Sequence, residues 1–197
     1  MVGCSGNQNS SNANEDKNMQ TNEEETNHSS DESIIIESNN TLGFELLHEV
    51  ESVEDNIFIS PLSAFIAVLL ASNGADGETK REMKEALQIE EYRLDEVNES
   101  VLALTNKLQQ DVDEMELLIA NSIWLNDRYH FAGNFSEKAN NFFATKQEMI
   151  NIDDEKSVDL INDWVSEATN EKITEMVEKP LDQDFLAMIL NAIYFHG

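Results

Sequence analysis

Apolar residues begin to recur at a helical spacing near residue 39, after a long polar stretch. The side chain of Asn39, Asn40 or Thr41 can accept a hydrogen bond from the free backbone N–H groups of a first helical turn. The pattern therefore predicts a helix that begins at these residues. Its inward-facing residues are expected to be Leu42, Phe44, Leu46, Leu47 and Val50.

A short strand followed by a buried helix is predicted next. Residues 56–59 combine β-branched and aromatic side chains in a brief apolar run, which is typical of a strand. Ser60 and Pro61 predict a helix start, because proline lacks the N–H group that a first turn leaves unpaired and Ser60 can cap that turn. Residues 62–71 are apolar on nearly every side, so we expect this helix to be buried and to end at the glycines of 73–77.

The rest of the chain alternates between helical and strand patterns. Helices are predicted over 80–87, 94–108 and 158–168, a turn and helix over 131–145, and strands over 117–125 and 148–152. The last apolar run, 185–195, is compatible with a buried strand or a buried helix by its pattern alone.

Residues 1–37 differ from everything that follows. They are rich in Asn, Ser, Glu and Thr and carry 8 acidic residues against one basic residue, Lys17. Such a segment has too little apolar surface to offset the entropy of ordering it, which predicts a flexible tether ahead of a folded domain over 38–197. Its exception is 34–36, three isoleucines that we interpret as a short strand or as the adhesive end of the tail.

The single cysteine, Cys4, excludes an internal disulfide. Val2-Gly3-Cys4 resembles the end of a prokaryotic lipoprotein signal, in which the cysteine carries the lipid, although Met1 stands where that pattern has Leu. A lipid-anchored protein at the cell surface, tethered to the membrane through Cys4, is therefore one interpretation. A secreted protein with a chance cysteine in its leader is the other.

Charge and motif content argue against two functional classes. The 40 acidic and 12 basic residues give a formal net charge of -28, which repels nucleic acid. The four histidines lack metal-ligand spacing, and the sequence has no G-x-S-x-G, H-E-x-x-H or phosphate-binding glycine motif. We therefore expect neither an enzyme nor a bound metal or cofactor.

Five motifs, in this order, resemble those of the serpin family. They are Asn56-Ile57-Phe58-Ile59-Ser60-Pro61-Leu62-Ser63, Gly74-Ala75-Asp76-Gly77-Glu78-Thr79, Asn121-Ser122-Ile123-Trp124, Ile161-Asn162-Asp163-Trp164-Val165 and Leu190-Asn191-Ala192-Ile193-Tyr194-Phe195-His196-Gly197. The resemblance covers about 39–197 and implies an α+β fold in which helices pack on a large central β-sheet. His196 stands where the family usually has Lys.

The resemblance also implies a function without a catalytic group. A serpin inhibits a serine or cysteine protease as a suicide substrate: the protease cleaves an exposed reactive loop, which then inserts into the central sheet. The family is about twice as long as this chain, and its loop lies near the far C-terminus. We therefore expect a chain that stops after the third strand, lacks the loop and does not inhibit a target protease alone.

Two further expectations follow from that reading. Ser60, Ser63 and Asn191 match the region where serpin strands part, so the resemblance implies a sheet-opening role for them. In the alternative, Ser60 only caps a helix and Asn191 is an ordinary buried amide. The apolar strand expected over 185–195 would present an open edge, which favours self-association. A non-inhibitory module completed by another chain, or the product of a decayed gene, are the alternatives to an inhibitor fragment.

Overall fold

Helices and strands alternate along the chain in the computed structural model, which describes residues 33, 35–50, 56–110, 116–182 and 184–197. Within these ranges the chain forms six helices and three strands. They are α1 (35–49), α2 (Pro61–Gly74), α3 (Gly77–Ala86), α4 (Leu94–Leu108), β1 (Glu116–Asn126), α5 (Gly133–Phe143), β2 (Lys146–Ile150), α6 (Lys156–Ala168) and β3 (Ala187–His196).

The three strands form one sheet with the order β2-β1-β3. β1 pairs with β2 in parallel and with β3 in antiparallel orientation, in a register that runs from Glu116 opposite His196 to Leu125 opposite Ala187. The apolar run 185–195, which the pattern left open between strand and helix, therefore forms most of a strand. The predicted α+β class is confirmed.

Each face of the sheet covers its own hydrophobic core, because side chains alternate along a strand. The larger core lies under α2, where Phe65, Ile66, Leu69 and Leu70 are buried, and the odd-numbered side chains of β1, such as Ile123, contact it. The other core lies under α6. There the even-numbered residue Trp124 meets Ile161, Trp164 and Val165.

Local signals predicted the middle of the chain well. The Ser60 hydroxyl caps α2, accepting a hydrogen bond from the Ser63 N–H at 3.3 Å, with Pro61 in the first turn. The predicted helices over 80–87, 94–108, 131–145 and 158–168 correspond to α3, α4, α5 and α6. β2 begins two residues before the predicted strand over 148–152.

The predicted start of the first helix is wrong. α1 is already helical at Ile35, and the Thr41 hydroxyl donates to the Glu37 carbonyl at 3.0 Å as an interior residue would. Ile35 is 1% exposed and belongs to the α2 core, so burial extends the helix beyond its expected cap. The strand suggested for 34–36 is wrong for the described residues 35 and 36.

The predicted inward face of α1 is also partly wrong, since Phe44 is 74% and Leu47 is 44% exposed. Residues 1–32, and with them Cys4, lie outside the described residues. The tether proposed for 1–37 thus stays a prediction, with 35–37 already in α1.

The strand predicted over 56–59 does not form. These residues are irregular, and Phe58 is 97% exposed. A strand needs a neighbour to complete its backbone hydrogen bonds, and none of the three described strands lies beside this segment.

Candidate functional site

Two asparagines face each other in the middle of the β1–β3 pair. Asn121 and Asn191 are directly opposite in the register, on the sheet face that covers the α2 core. The Asn191 side-chain amide donates to Asn121 Oδ1 at 2.7 Å. Asn121 Nδ2 in turn donates to the backbone carbonyl of Phe143, at the end of α5, at 2.9 Å. One polar chain therefore connects β3, β1 and α5 through an otherwise apolar layer.

One acceptor atom in this polar chain of hydrogen bonds has no donor within the part of the molecule that the structure describes. Asn191 Oδ1 is buried and has no hydrogen-bond partner among the described residues. A buried acceptor without a donor costs roughly 1–3 kcal/mol. This atom therefore marks a place where a donor group would stabilise the molecule.

Of the three sheet-opening residues predicted from the sequence, the structure connects only Asn191 to this polar chain. Ser60 and Ser63 are half-buried at the start of α2, where the Ser60 hydroxyl caps the helix. No hydrogen bond joins either serine to Asn191 in the described part of the chain. Asn121 was missed as a partner, although its position as a polar residue inside the apolar run 117–125 was the available signal.

A second asparagine pair holds the helices beneath the sheet. Asn73 on α2 and Asn98 on α4 exchange two side-chain hydrogen bonds, at 3.0 and 2.9 Å. Asn98 is fully buried, so its amide needs this partner. The pair fixes the position of α4 against α2, which itself packs against β3.

Aromatic packing dominates the other face of the sheet. The Trp124 and Trp164 rings meet edge to face with centroids 6.4 Å apart, and the Lys146 ammonium lies 5.2 Å from the Trp124 ring centroid. Trp124 Nε1 donates to the Ser122 hydroxyl at 2.9 Å, which satisfies the indole in a buried position. The contact between α6 and β1 at these two aromatic side chains is therefore apolar packing.

An ion pair ties α4 to α5. Lys138 Nζ donates to Asp95 Oδ1 at 2.5 Å, and this hydrogen bond lowers the pKa of the Asp95 carboxyl below its ordinary value. Both side chains are partly exposed, so water and salt weaken the interaction.

Neither a metal site nor a membrane-spanning element is found in the part of the chain that the structure describes. No group of three or more His, Cys, Asp or Glu side chains there is arranged to hold a metal ion. None of the described helices is both long and apolar enough to cross a bilayer.

Comparison with known proteins identifies the fold. The family model for serpins, described as serine protease inhibitors, matches residues 37–197. The chain belongs to the serpin family. It is 31% identical over 169 residues to an uncharacterized serpin-like protein of Methanosarcina acetivorans, covering 83% of this chain and 39% of that protein. It is 33% identical to Iripin-1 of Ixodes ricinus, covering 81% of this chain and 42% of that protein.

Solved serpin structures superpose on the chain as well. Cleaved kallistatin complexed with heparin matches with a TM-score of 0.74 and 26% identity, covering 81% of this chain and 48% of that chain. The thermophilic serpin tengpin in the latent state matches with a TM-score of 0.69 and 28% identity, covering 81% of this chain and 43% of that chain. The serpin chain described here thus spans less than half the length of these relatives.

Proposed function

We propose that this serpin chain supplies the sheet-opening half of a suicide-substrate inhibitor of proteases. Family membership supports the class, and mouse alpha-1-antitrypsin 1-3, whose name denotes action on trypsin, is 32% identical over 156 residues. The observation that carries the proposal is the state of β3. It pairs with β1 on one side, and none of the described strands lies along its other edge.

An inserted strand fits that edge. Its backbone would satisfy the outward N–H and C=O groups of β3, in the manner of strand addition to an exposed sheet edge. A hydrogen-bond donor on the inserted strand, or on the strand that lies beside β3 before insertion, would satisfy Asn191 Oδ1. This oxygen has no partner among the described residues. Asn191 and Asn121 would then act as the polar pair that holds β3 in register while its outer neighbour changes.

Ser60 and Ser63 are assigned a supporting part in this proposal. They lie at the start of α2, which packs against β3. The Ser60 cap keeps the first turn of α2 intact while the sheet above it rearranges. Their contribution is therefore to hold the base of the site rather than to contact the inserted strand.

The reactive loop is expected to come from sequence outside the matched range. The test compares the 197-residue chain with a protein in which the chain is continued by the C-terminal portion of the Methanosarcina acetivorans relative. Each is mixed with trypsin, chymotrypsin or elastase, and the products are separated in detergent. We expect a covalent complex with the continued protein, none with the chain alone, and none when the protease serine is blocked beforehand.

A continued protein that unfolds cooperatively yet is only cleaved by all three proteases, without a covalent complex, contradicts inhibition. A covalent complex with the chain alone contradicts the proposed dependence on a separate loop.

The open edge of β3 supports a second candidate, an assembly module that pairs with another chain. Leu186 and Phe195, at the two ends of this region, are 53% and 62% exposed. Exposed apolar strand edges favour pairing with a further strand. Sedimentation velocity at rising concentration tests whether that strand can come from a second copy of the chain. Self-association through 185–195 gives concentration-dependent species, and a chain that stays monomeric at all concentrations contradicts pairing between copies.

Location at the cell surface through Cys4 belongs to the same proposal. The Val2-Gly3-Cys4 sequence supports lipidation, with the acidic stretch before α1 as the spacer. Mass spectrometry of the N-terminal peptide from native membranes provides the test. A diacylglyceryl group on Cys4 is expected, and an unmodified Cys4 in soluble protein contradicts the anchor.

A further inference from the structure

The chain that follows α6 turns back and runs beside the helix. The Thr169 hydroxyl accepts the Ile173 N–H at 3.0 Å, near the end of α6. Lys179 Nζ lies 2.7 Å from the Asp159 carboxylate, near the beginning of α6. Leu181 is 4% exposed and packs into the core under α6. We call residues 169–181 the return segment.

Asn162 holds the return segment at its middle. Asn162 Oδ1 accepts two backbone N–H groups, from Met176 at 2.9 Å and from Val177 at 3.0 Å. Asn162 Nδ2 donates to the Val177 carbonyl at 2.9 Å. An amide side chain has one acceptor oxygen and two donor hydrogens, so this residue uses both lone pairs of its oxygen on one short stretch of backbone.

We call α6 and the return segment together the unit. The contacts between the unit and the sheet differ from the hydrogen bonds within it. They consist of apolar packing, with Trp164 against Trp124 and with Val177 in the same cluster. Among the described residues, the hydrogen bond that joins the unit to β1 or β3 runs from Asn170 Nδ2 to the Tyr194 hydroxyl, at 3.4 Å. Directional bonds thus hold the return segment to α6, whereas mainly non-directional packing holds both to the sheet.

We propose that Asn162 is a positioning residue that fastens the return segment to α6, so that helix and segment move over the sheet as one body. Whether the sheet opens at all rests on the function proposed above. The fastening does not, because it concerns bonds between α6 and the segment. If the sheet is to accept a strand beside β3, α6 and the return segment are displaced together, and the return segment does not separate from α6 first.

Hydrogen exchange followed by mass spectrometry on the full 197-residue chain tests the fastening. In the unmodified chain, peptides from α6 and from 173–180 should exchange with the same opening free energy, as one cooperative unit does. Asn162→Ala should accelerate exchange at Met176 and Val177 about ten-fold or more, since each loses its acceptor. Exchange in α6 and the emission of Trp124 and Trp164 should stay unchanged. Asp163→Ala, at an exposed position of the same helix, is the control and should leave the Met176 and Val177 amides as slow as before.

Three results overturn the proposal. The first is a return segment that already exchanges much faster than α6 in the unmodified chain, a comparison that decides the question even if the variant does not fold. The second is Asn162→Ala with unchanged exchange at 176 and 177. The third is acceleration of α6 and the segment to the same extent, which indicates a general loss of stability. None of these outcomes depends on whether the protein inhibits a protease.

Discussion

At the scale of single residues, four asparagine side chains join segments that lie far apart in the sequence. Each of these side chains forms a hydrogen bond with another segment, at distances between 2.7 and 3.0 Å: Asn121, Asn191, Asn98 and Asn162. Apolar packing is tolerant of small shifts, whereas a hydrogen bond is lost with a shift of less than 1 Å. These four residues therefore specify how the elements are placed, more than how strongly they are held.

The Asn121–Asn191 pair gives the first prediction. Asn191→Ala removes the donor to Asn121 Oδ1 and leaves that buried oxygen unpaired, but it also removes Asn191 Oδ1, which has no partner among the described residues. The two effects partly offset, so the free energy of unfolding should fall by about 1 kcal/mol, the contribution of one hydrogen bond. Asn121→Ala breaks both bonds of the chain and should cost more. Urea unfolding followed by circular dichroism measures the difference. Asn140→Ala, at an exposed position of α5, is the control with no expected loss; an Asn191 variant that behaves like it would contradict a connecting role.

Asp95 predicts a pH effect. Its pKa is lowered in the folded state by the hydrogen bond from Lys138, so its contribution to stability is present above the unfolded value of 3.8. That contribution is lost as the pH falls through the lower folded value. The stability difference between the unmodified chain and Asp95→Asn should therefore be present at pH 7 and vanish in strong acid, and added salt should reduce it.

Urea midpoints measured from neutral to acidic pH provide the check on Asp95. Asp163→Asn removes an exposed carboxylate that has no ion pair in the described chain, and it serves as the control. A difference for Asp95→Asn that grows as the pH falls would show that the sign of the argument is wrong.

At the scale of elements, the crossing of α1 and α2 shows how one small residue sets a packing distance. A Cβ atom added at Gly43 would lie 2.8 Å from Pro61 Cγ, in the rigid ring at the start of α2. The two helices can approach this closely because Gly43 has no side chain. The same Pro61 that starts α2 is thus also the surface on which α1 rests.

Gly43→Ala should therefore destabilise the chain. Helix propensity alone would favour alanine by about 1 kcal/mol, but forcing a methyl group against the proline ring costs roughly 1–3 kcal/mol. Gly133→Ala is the matched control, because a Cβ added there meets nothing within 4 Å and propensity alone acts. Thermal unfolding of both variants decides the matter: a higher midpoint for Gly43→Ala would contradict the close approach.

At the scale of the whole molecule, the net charge indicates which polymers this serpin chain repels. The chain has a formal net charge of -28, with 12 basic residues in 197. Heparin is present in the kallistatin complex whose structure superposes on this chain. A polyanion is bound through Lys and Arg side chains, and an acidic surface repels it over the Debye length.

We therefore predict that the chain does not bind heparin. It should pass through a heparin column without retention even at low ionic strength, where attraction between opposite charges is strongest. Kallistatin run on the same column is the positive control. Retention of this chain with elution by salt would reveal a local basic surface that the net charge conceals.

Short-range information in the sequence accounts for much of the fold. Ser60 and Pro61 specify the start of α2 through groups at most three residues apart, and the apolar spacing of α4 and α6 follows from one turn to the next. The polar Asn121 inside an apolar run was a local signal as well, although it was not predicted as a site residue. Such signals lie within a few residues of each other, so a pattern along the chain contains them completely.

The errors lie where distant segments meet. Phe58 fits a strand by residue type, yet its segment has no described strand beside it, and α1 extends past its expected cap because Ile35 is buried in the α2 core.

The sequence by itself determined the serpin family, the helices α2 to α6, the strong negative charge and the polar positions inside the sheet. The tertiary structure alone decided the bounds of β3, Ala187–His196, the position of Asn191 opposite Asn121, and the hold of Asn162 on the return segment. The physical reason is the range of the interactions. Caps and amphipathic faces depend on neighbours within a turn or two, whereas strand register and side-chain hydrogen bonds depend on residues up to 70 positions apart.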